Sequence, residues 1–260
     1  MLCLTVSRAV GAVRAAGRAL LLDAPRVERR SWVRPARLRV EHADRIDGMP
    51  RGPSSAHSLQ RDTILNISAD AFAELGYPGA TMAVLAKRCG VSKSLLYHYY
   101  PSKDAILYDL SAEYMAKLQA LVVEVAALNL SAKDALAELI RRFVREYENS
   151  RSRHIVLLSD VKFLPTDQRE TVVAMERSVV QAFADVIART YSIDEGRAKV
   201  LTMSVFGIVN WTFTWLKPGG ALTYAQFAET VVGILEGGLN GGAARLQPVA
   251  LKKSLHGTKK

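Results

Sequence analysis

Cysteine is nearly absent from this 260-residue chain, with Cys3 and Cys89 the whole supply. Two thiols so far apart exclude a disulfide framework and a cysteine zinc site, and they fit a reducing compartment. No apolar run near the start reaches the length of a secretory core, because Arg8, Arg14 and Arg18 interrupt it, and no A-x-A-like cleavage site follows. The longest apolar stretch elsewhere, residues 201–216, approaches the length of a short membrane span but carries Ser204, Asn210, Thr212 and Thr214. It reads as a buried helix of a soluble, cytoplasmic protein with no membrane partner. Catalytic signatures are missing as well. The histidines, His42, His57, His98, His154 and His256, show no metal-ligand spacing, and there is no G-x-S-x-G, no phosphate-binding glycine loop and no dinucleotide fingerprint. No metal, no cofactor and no enzymatic activity are expected.

Net charge is also missing from the middle of the chain. The formal total is +10, yet residues 1–48 hold ten Arg and no Lys against five Asp and Glu, while residues 245–260 carry Arg245, Lys252, Lys253, Lys259 and Lys260 and no acid. The body between them is formally neutral, so specific recognition must come from a local patch inside it. A packed domain has no physical reason to use Arg without Lys. Residues 1–57 therefore read as a disordered Arg-rich extension, either an artefact of a start upstream of Met49 or a basic arm that touches DNA. Residues 241–260 read as a basic tail. At 49% hydrophobic and 23% charged overall, the chain can bury a real core.

Period-2 alternation is almost absent beyond Leu59, and the fold class expected is all-α. Ile64, Ile67, Ala71, Phe72 and Leu75 form one stripe at helical spacing that stops at Gly76 and Gly79 around Pro78. A short helix over 81–88 follows, with Thr81 as N-cap and Gly90 closing it; Ser92 caps another to Tyr99, which Pro101 ends. Ser102 opens a long helix from Lys103 to about Leu128, and Ser131 with Asp134 opens one to about Asn149. Further helices are expected over 153–164, over 165–191, from Ser192 with Glu195 to about Leu216, and from the Thr223–Gln226 capping box to the Gly237-Gly238 pair or just beyond.

The informative run is Thr81-Met82-Ala83-Val84-Leu85-Ala86-Lys87-Arg88-Cys89-Gly90-Val91-Ser92-Lys93-Ser94-Leu95-Leu96-Tyr97-His98-Tyr99-Tyr100-Pro101-Ser102-Lys103. Two short helices joined by Cys89-Gly90-Val91-Ser92 make a helix-turn-helix, whose second helix can enter the major groove. Ser92, Lys93 and Ser94 stand at its start, where backbone N–H groups favour a phosphate. Val84, Leu85, Val91, Leu96 and Tyr100 read as core, and Cys89 as a small buried hydrophobe. With Ala71-Phe72 and the Gly76-Tyr77 turn before it, residues 58–118 resemble the DNA-binding domain of TetR-family transcriptional regulators. That family's L-Y-x-Y-F-x-x-K-like ending stands here as Leu96-Tyr97-His98-Tyr99-Tyr100-Pro101-Ser102-Lys103. The resemblance implies that Thr81 and Lys103 bond phosphates, that Lys93, Ser94 and Leu95 face the groove, and that Tyr97 and Tyr99 contact backbone or bases, with Met82, Ser92 and His98 beside them. Ser94-Leu95 departs from the family's more frequent Gly-Thr or Pro-Thr, and Ala83, where some relatives place a base-reading Arg, has nothing to donate. Leu95 can meet a thymine methyl.

The same resemblance implies an effector-binding and dimerisation domain over 119–240, a palindromic double-stranded operator and a homodimer. The last two long helices are very apolar, with Val205, Phe206, Ile208, Val209, Trp211 and Phe213 in one and Val231, Val232, Ile234 and Leu235 in the other. A two-fold four-helix interface would bury that excess. Asn210-Trp211-Thr212-Phe213-Thr214-Trp215-Leu216-Lys217-Pro218-Gly219-Gly220 is similar to a stretch in TetR regulators of fatty-acid, aromatic-acid and steroid catabolism, several of which respond to acyl-CoA thioesters. Asn210, Trp211, Thr214, Trp215 and His154 are the candidate effector residues; a plain core and interface role for the tryptophans stays open. Arg141, Arg142, Arg145, Arg151, Arg153 and His154 are candidate partners for thioester phosphates, or a solvated face. The function expected is a ligand-responsive repressor of a catabolic operon, released by a small hydrophobic effector such as an acyl-CoA. A helical adaptor and an all-α enzyme using dispersed carboxylates are the competing classes.

Overall fold

Every element in the computed structural model, which describes residues 54–242, is helical, and no strand occurs among the described residues. The apolar stripe of the first segment winds it into α1 (Ser54–Gly79), with Ile64, Leu65, Ala71 and Phe72 fully enclosed. Burying Phe72 and each large aliphatic of this kind contributes about 1.5–3 kcal/mol. The helix is interrupted at Gly76, whose φ of 73° and ψ of 159° fall where only glycine sits without strain. That turn leads into α2 (Met82–Cys89) and α3 (Lys93–Tyr99), each opened by a hydroxyl cap: Thr81 Oγ1 accepts from Val84 N–H at 3.3 Å and Ser92 Oγ from Leu95 N–H at 3.1 Å. Ser102 Oγ, accepting from Ala105 N–H at 3.1 Å, opens α4 (Lys103–Ala127).

The chain divides into two compact units, with residues up to Asp109 and the returning segment Val156–Leu164 in the first. Its core holds Leu85, Leu96, Ile106, Leu107 and Val156 beside the α1 residues. That return consists of the end of α6 (Arg151–Asp160) and a 3-10 turn, Val161–Phe163. The helix expected over 153–164 thus starts earlier and tightens before Pro165.

The second unit contains Leu110–Ile155 and the chain from Pro165 onward. Here α5 (Ala132–Asn149) turns Leu136, Leu139, Ile140, Phe143, Val144 and Tyr147 to one side and packs that stripe on α7 (Thr166–Tyr191) and α10 (Tyr224–Gly242). Between the latter two run α8 (Glu195–Asn210) and the four-residue α9 (Thr212–Trp215). Rings of Phe143, Phe183 and Phe206 meet at 4.8–6.4 Å between centroids and centre the core.

Two expectations are corrected here. Ser192 does not cap α8; at φ 51° it ends α7, and Asp194 is the cap, its Oδ1 accepting from Arg197 N–H at 3.0 Å. Nor does one helix run through to Leu216. It breaks at Trp211, where Thr212 and Thr214 turn their hydroxyls back onto the carbonyls of Val209 and Trp211 at 2.8 and 2.7 Å and compete with the helical ladder. The capping box before α10 forms with both bonds, Thr223 N–H to Gln226 Oε1 at 2.9 Å and Gln226 N–H to Thr223 Oγ1 at 3.1 Å. The Arg-rich extension up to residue 53 and the basic tail beyond residue 242 lie outside the described residues.

Candidate functional site

The turn between α2 and α3 is built by Gly90, whose φ of 67° lets its N–H reach the Ala86 and Lys87 carbonyls and swings the chain into Ser92. Buried Leu85, Ala86 and Leu96 fix the two helices against the core of the first unit. With Leu96 inward, the other side of α3 faces solvent. Lys93, Ser94, Leu95, Tyr97 and His98 are all exposed, Leu95 and Tyr97 at 40% and 51%. Exposed apolar and aromatic groups side by side with a cation on one short helix form a surface suited to base edges and phosphates. Ser92 stands exposed at its edge, its oxygen 3.0 Å from Ser94 Oγ. At the other end of the motif, exposed Thr81 uses its oxygen as a cap acceptor and keeps a hydroxyl proton to give outward, while Met82 is half-buried. Tyr99 is half-buried because its ring stacks on His57 of α1 at 4.6 Å, with His98 edge-on to it at 5.7 Å.

Lys103, which the resemblance places at a phosphate, is half-buried and has a partner inside the protein. Its Nζ donates to the Tyr77 carbonyl at 2.7 Å and lies 3.9 Å from the centre of the Tyr77 ring. Burial lowers its pKa, and the nearby Asp160 carboxylate opposes that shift. Tyr77 is the hub that sequence reading passed over. Its hydroxyl donates to Asp104 and its ring stacks on Phe163 at 5.0 Å, joining the turn before Thr81, the start of α4 and the 3-10 segment. A tyrosine in a glycine-proline turn gives no signal of this in the sequence.

In the second unit, His154 and Asn210 come together with Tyr114 and Tyr147 in a buried cluster. The His154 ring stacks on Tyr147 at 3.7 Å, and its Nδ1 is 3.3 Å from Tyr114 Oη. Burial drives the His154 pKa down to about 3; the Asn210 backbone opposes that shift and the Arg151 charge adds to it. The imidazole is therefore neutral at physiological pH. Both tyrosine hydroxyls are pushed up by the same burial and stay protonated. Asn210 is enclosed, and its Oδ1 finds no hydrogen-bond partner among the described residues. A buried acceptor left so is a place for a donor from elsewhere.

The remaining candidates do not join this cluster as one set. Trp211 is half-buried with its ring edge-on to Phe213 at 5.8 Å, and Thr214 is held on the Trp211 carbonyl. Trp215 is 48% exposed and leans on Phe227 at 5.5 Å. The break leaves Trp211 at the cap between α8 and α9 and Trp215 at the end of α9. Of the arginines, Arg141 is clasped by both Glu229 oxygens at 2.6 and 2.9 Å and Arg142 by Glu138 and Glu124, which is the solvated-face arrangement. Arg153 pairs with Glu113, Arg151 donates to the Phe213 carbonyl at 2.5 Å, and Arg145 is exposed. A separate groove of about 380 Å³ opens between the end of α4, α5 and α7, with Val125, Leu139 and Val186 on its walls and Asn129, Asp185 and Arg189 as polar groups.

Most of the apolar excess expected at an interface is used inside the protomer: Val205, Phe206, Val209, Val231, Val232 and Leu235 are all buried. What remains outside is Val200, Met203 and Ile208 on α8 and Ile234 on α10. Of these, Val200 and Met203 line, with Gly196, Lys199 and Ser204, an open concavity of about 500 Å³ on α8.

Two family models match the chain, "Bacterial regulatory proteins, tetR family" over residues 64–110 and "Tetracyclin repressor-like, C-terminal domain" over residues 129–239. A solved TetR-family transcriptional regulator from Bordetella parapertussis 12822 is 32% identical with a TM-score of 0.66, and the match covers 72% of this chain and 98% of that one. The HTH-type transcriptional repressor KstR2 of Rhodococcus jostii (strain RHA1) is 23% identical over 73% of this chain and 96% of its own length. The fold is shared with AibR solved in complex with isovaleryl coenzyme A and operator DNA, at 23% identity and a TM-score of 0.61 over 67% of this chain and 97% of that one. No helix among the described residues is long and apolar enough to cross a membrane.

Proposed function

Because the chain belongs to the TetR family of DNA-binding transcriptional regulators, we propose that it is a homodimeric repressor whose α3 reads a palindromic operator and whose C-terminal unit releases it on binding a small hydrophobic effector, an acyl-CoA thioester. The observation that carries the DNA-reading part is the division of α3 into one buried anchor, Leu96, and an outer side of Lys93, Ser94, Leu95, Tyr97 and His98. Lys93 supplies a phosphate contact or a guanine edge, Tyr97 reaches backbone or base, and Leu95 takes a thymine methyl. Thr81 gives its hydroxyl proton to a phosphate, with Ser92 and Met82 at the margin. Tyr99 serves through its ring, and Lys103 as a brace rather than a direct contact.

The effector reading is supported by AibR, a protein of this fold solved with an acyl-CoA, and by the buried polar set of His154, Asn210, Tyr114 and Tyr147 within an otherwise apolar interior. An interior with a few convergent polar groups is the usual form of a small-molecule site. In this reading neutral His154 and Asn210 hold the polar part of the acyl end, and the interrupted segment carrying Trp211, Thr214 and Trp215 gives way to admit it. Repression is the sign carried by KstR2, a repressor. Two operator half-sites about one helical turn apart require a dimer, and the uncovered apolar groups of α8 and α10 are the surface that supports one.

The test is titration of the full chain onto DNA flanking its own gene, at two salt concentrations, with and without a panel of acyl-CoA thioesters. Sequence-selective binding that weakens steeply with salt and is released by one thioester is the expected result. Lys93→Ala should shallow the slope of log K against log salt by about 0.9 for each protomer whose phosphate contact is lost, with the melting temperature unchanged. Selective binding that no thioester releases would discard the effector while keeping the regulator.

A further inference from the structure

We propose that the effector is a hydroxylated acyl thioester, whose hydroxyl donates to Asn210 Oδ1 and accepts from the His154 ring while its carbonyl accepts from Arg151 Nε. The inference rests on the reading of this cluster as the effector site, and it narrows the ligand to one whose acyl part carries a hydrogen-bond donor. It starts from atoms that the fold encloses and leaves unmet. Asn210 Oδ1, His154 Nε2 and Arg151 Nε are buried and have no hydrogen-bond partner among the described residues. Asn210 and His154 are only 6% and 2% exposed. Arg151 and His154 lie one turn apart at the start of α6, and Asn210 ends α8. Phe213 links them, with its carbonyl on Arg151 Nη2 at 2.5 Å and its ring edge-on to His154 at 6.5 Å. The Asn210 backbone and the Arg151 charge both act on the imidazole, so the three groups are neighbours. Orphaned polar atoms gathered in one interior call for a ligand of complementary polarity.

The neighbours decide which of these atoms give a proton and which take one. Tyr114 is 1% exposed, and its enclosure keeps the phenol protonated. Its hydroxyl meets His154 Nδ1 at 3.3 Å. A ring proton on Nδ1 would strand both the phenolic proton and Nε2. With the phenol donating to Nδ1, the neutral ring carries its proton on Nε2. His154 Nε2 and Arg151 Nε are then donors, and Asn210 Oδ1 is an acceptor. The acyl part of a saturated thioester offers a carbonyl acceptor and nothing to give, so it would leave Asn210 unpaired. Ketone and carboxylate groups fail there in the same way. A hydroxyl both gives and takes, and together with the thioester carbonyl it answers all three atoms. A site built to bond a hydroxyl rejects the analogue lacking it far more strongly than an apolar wall discriminates chain length.

The experiment measures direct binding of matched thioesters to the full chain by calorimetry: butyryl-CoA and octanoyl-CoA, their α-, β- and ω-hydroxy forms, and their β-keto forms. One hydroxylated member should bind tighter than its saturated and keto counterparts by about 10²-fold or more. Asn210→Leu, which puts an apolar group of similar size in place of the amide, should keep the melting temperature of the free protein and bring hydroxylated and saturated thioesters to nearly equal affinity. Tyr114→Phe keeps the ring but removes the proton given to Nδ1. Nitrogen NMR of the imidazole should show the Nε2–H tautomer in the wild type and a mixture in this variant, whose preference for the hydroxyl should weaken. A wild type that binds saturated and hydroxylated thioesters equally, as it would if trapped water met these atoms, overturns the inference and leaves the acyl-CoA reading standing. Binding of no thioester overturns both.

Discussion

At the scale of single residues, the sharpest chemical consequence belongs to His154. Its folded pKa of about 3 lies below the ordinary imidazole value of 6.5 because burial disfavours the charged ring. The unfolded chain therefore binds the proton more readily than the fold does. The stabilising contribution is fully present above pH 6.5 and falls as pH drops towards 3, at up to about 1.4 kcal/mol per pH unit. Urea unfolding midpoints measured between pH 7 and 4 should decline in the wild type, and His154→Gln should flatten that decline. An equal decline in both proteins would show that other groups control acid stability. His154 also marks what a single residue's letter can convey. Its candidacy as an effector residue was readable, but its packing between Tyr114 and Tyr147, from helices forty and seven positions away, was not. Lys103 shows the reverse. A motif placed it at a phosphate, and only the three-dimensional position of Tyr77 shows the carbonyl and ring that its ammonium also meets.

Elements were legible wherever a side chain decides them locally. Thr81, Ser92, Ser102, Ser131 and the Thr223–Gln226 pair each cap the helix that the sequence assigns to them. The failure at Ser192 has a physical reason: Ser192 and Asp194 both stand before Glu195, and two overlapping caps cannot both open one helix. Ser192 is taken by the end of α7, where Ile193 N–H closes on the Ala188 carbonyl at 3.2 Å, and Asp194 is left to start α8. The break at Trp211 was hidden because Thr212 and Thr214 are compatible with a helix until their hydroxyls select the carbonyls behind them. The turn in the helix-turn-helix offers a clean test at this scale. A Cβ built on Gly90 meets nothing within 4 Å, so Gly90→Ala carries only the strain of an L-residue at φ 67°, about 1 kcal/mol. Thermal unfolding should shift down by a few degrees, and DNA binding should weaken further because the angle between α2 and α3 is set there. Ser92→Ala, which removes a cap but not the turn, should cost about 1 kcal/mol of stability and affect binding less.

At the scale of the whole molecule, the proposed repressor needs two reading heads held at the spacing of two half-sites. The sequence pointed to the last two long helices as a block, because hydrophobicity alone cannot say which of their apolar groups face inward. The structure separates them: Val205, Phe206 and Val209 complete the protomer's own core, whereas Val200, Met203, Ile208 and Ile234 remain outside it. Exposed aliphatics on adjacent long helices are what a two-fold, self-complementary interface uses. Val200, 56% exposed, is the position at which a charge separates the two roles most cleanly. Val200→Glu should leave helix content and core packing intact, since the side chain is mostly exposed, yet place like charges near one another across the two-fold. The expected outcome is a folded monomer in sedimentation or light scattering. Operator affinity should fall with it, because joining the half-sites through one dimer is worth about 10²–10⁴ over independent binding, while weak salt-dependent binding to any duplex persists. A Val200→Glu protein that stays dimeric with full operator affinity would move the interface to another face and leave the exposed groups of α8 and α10 for a different partner.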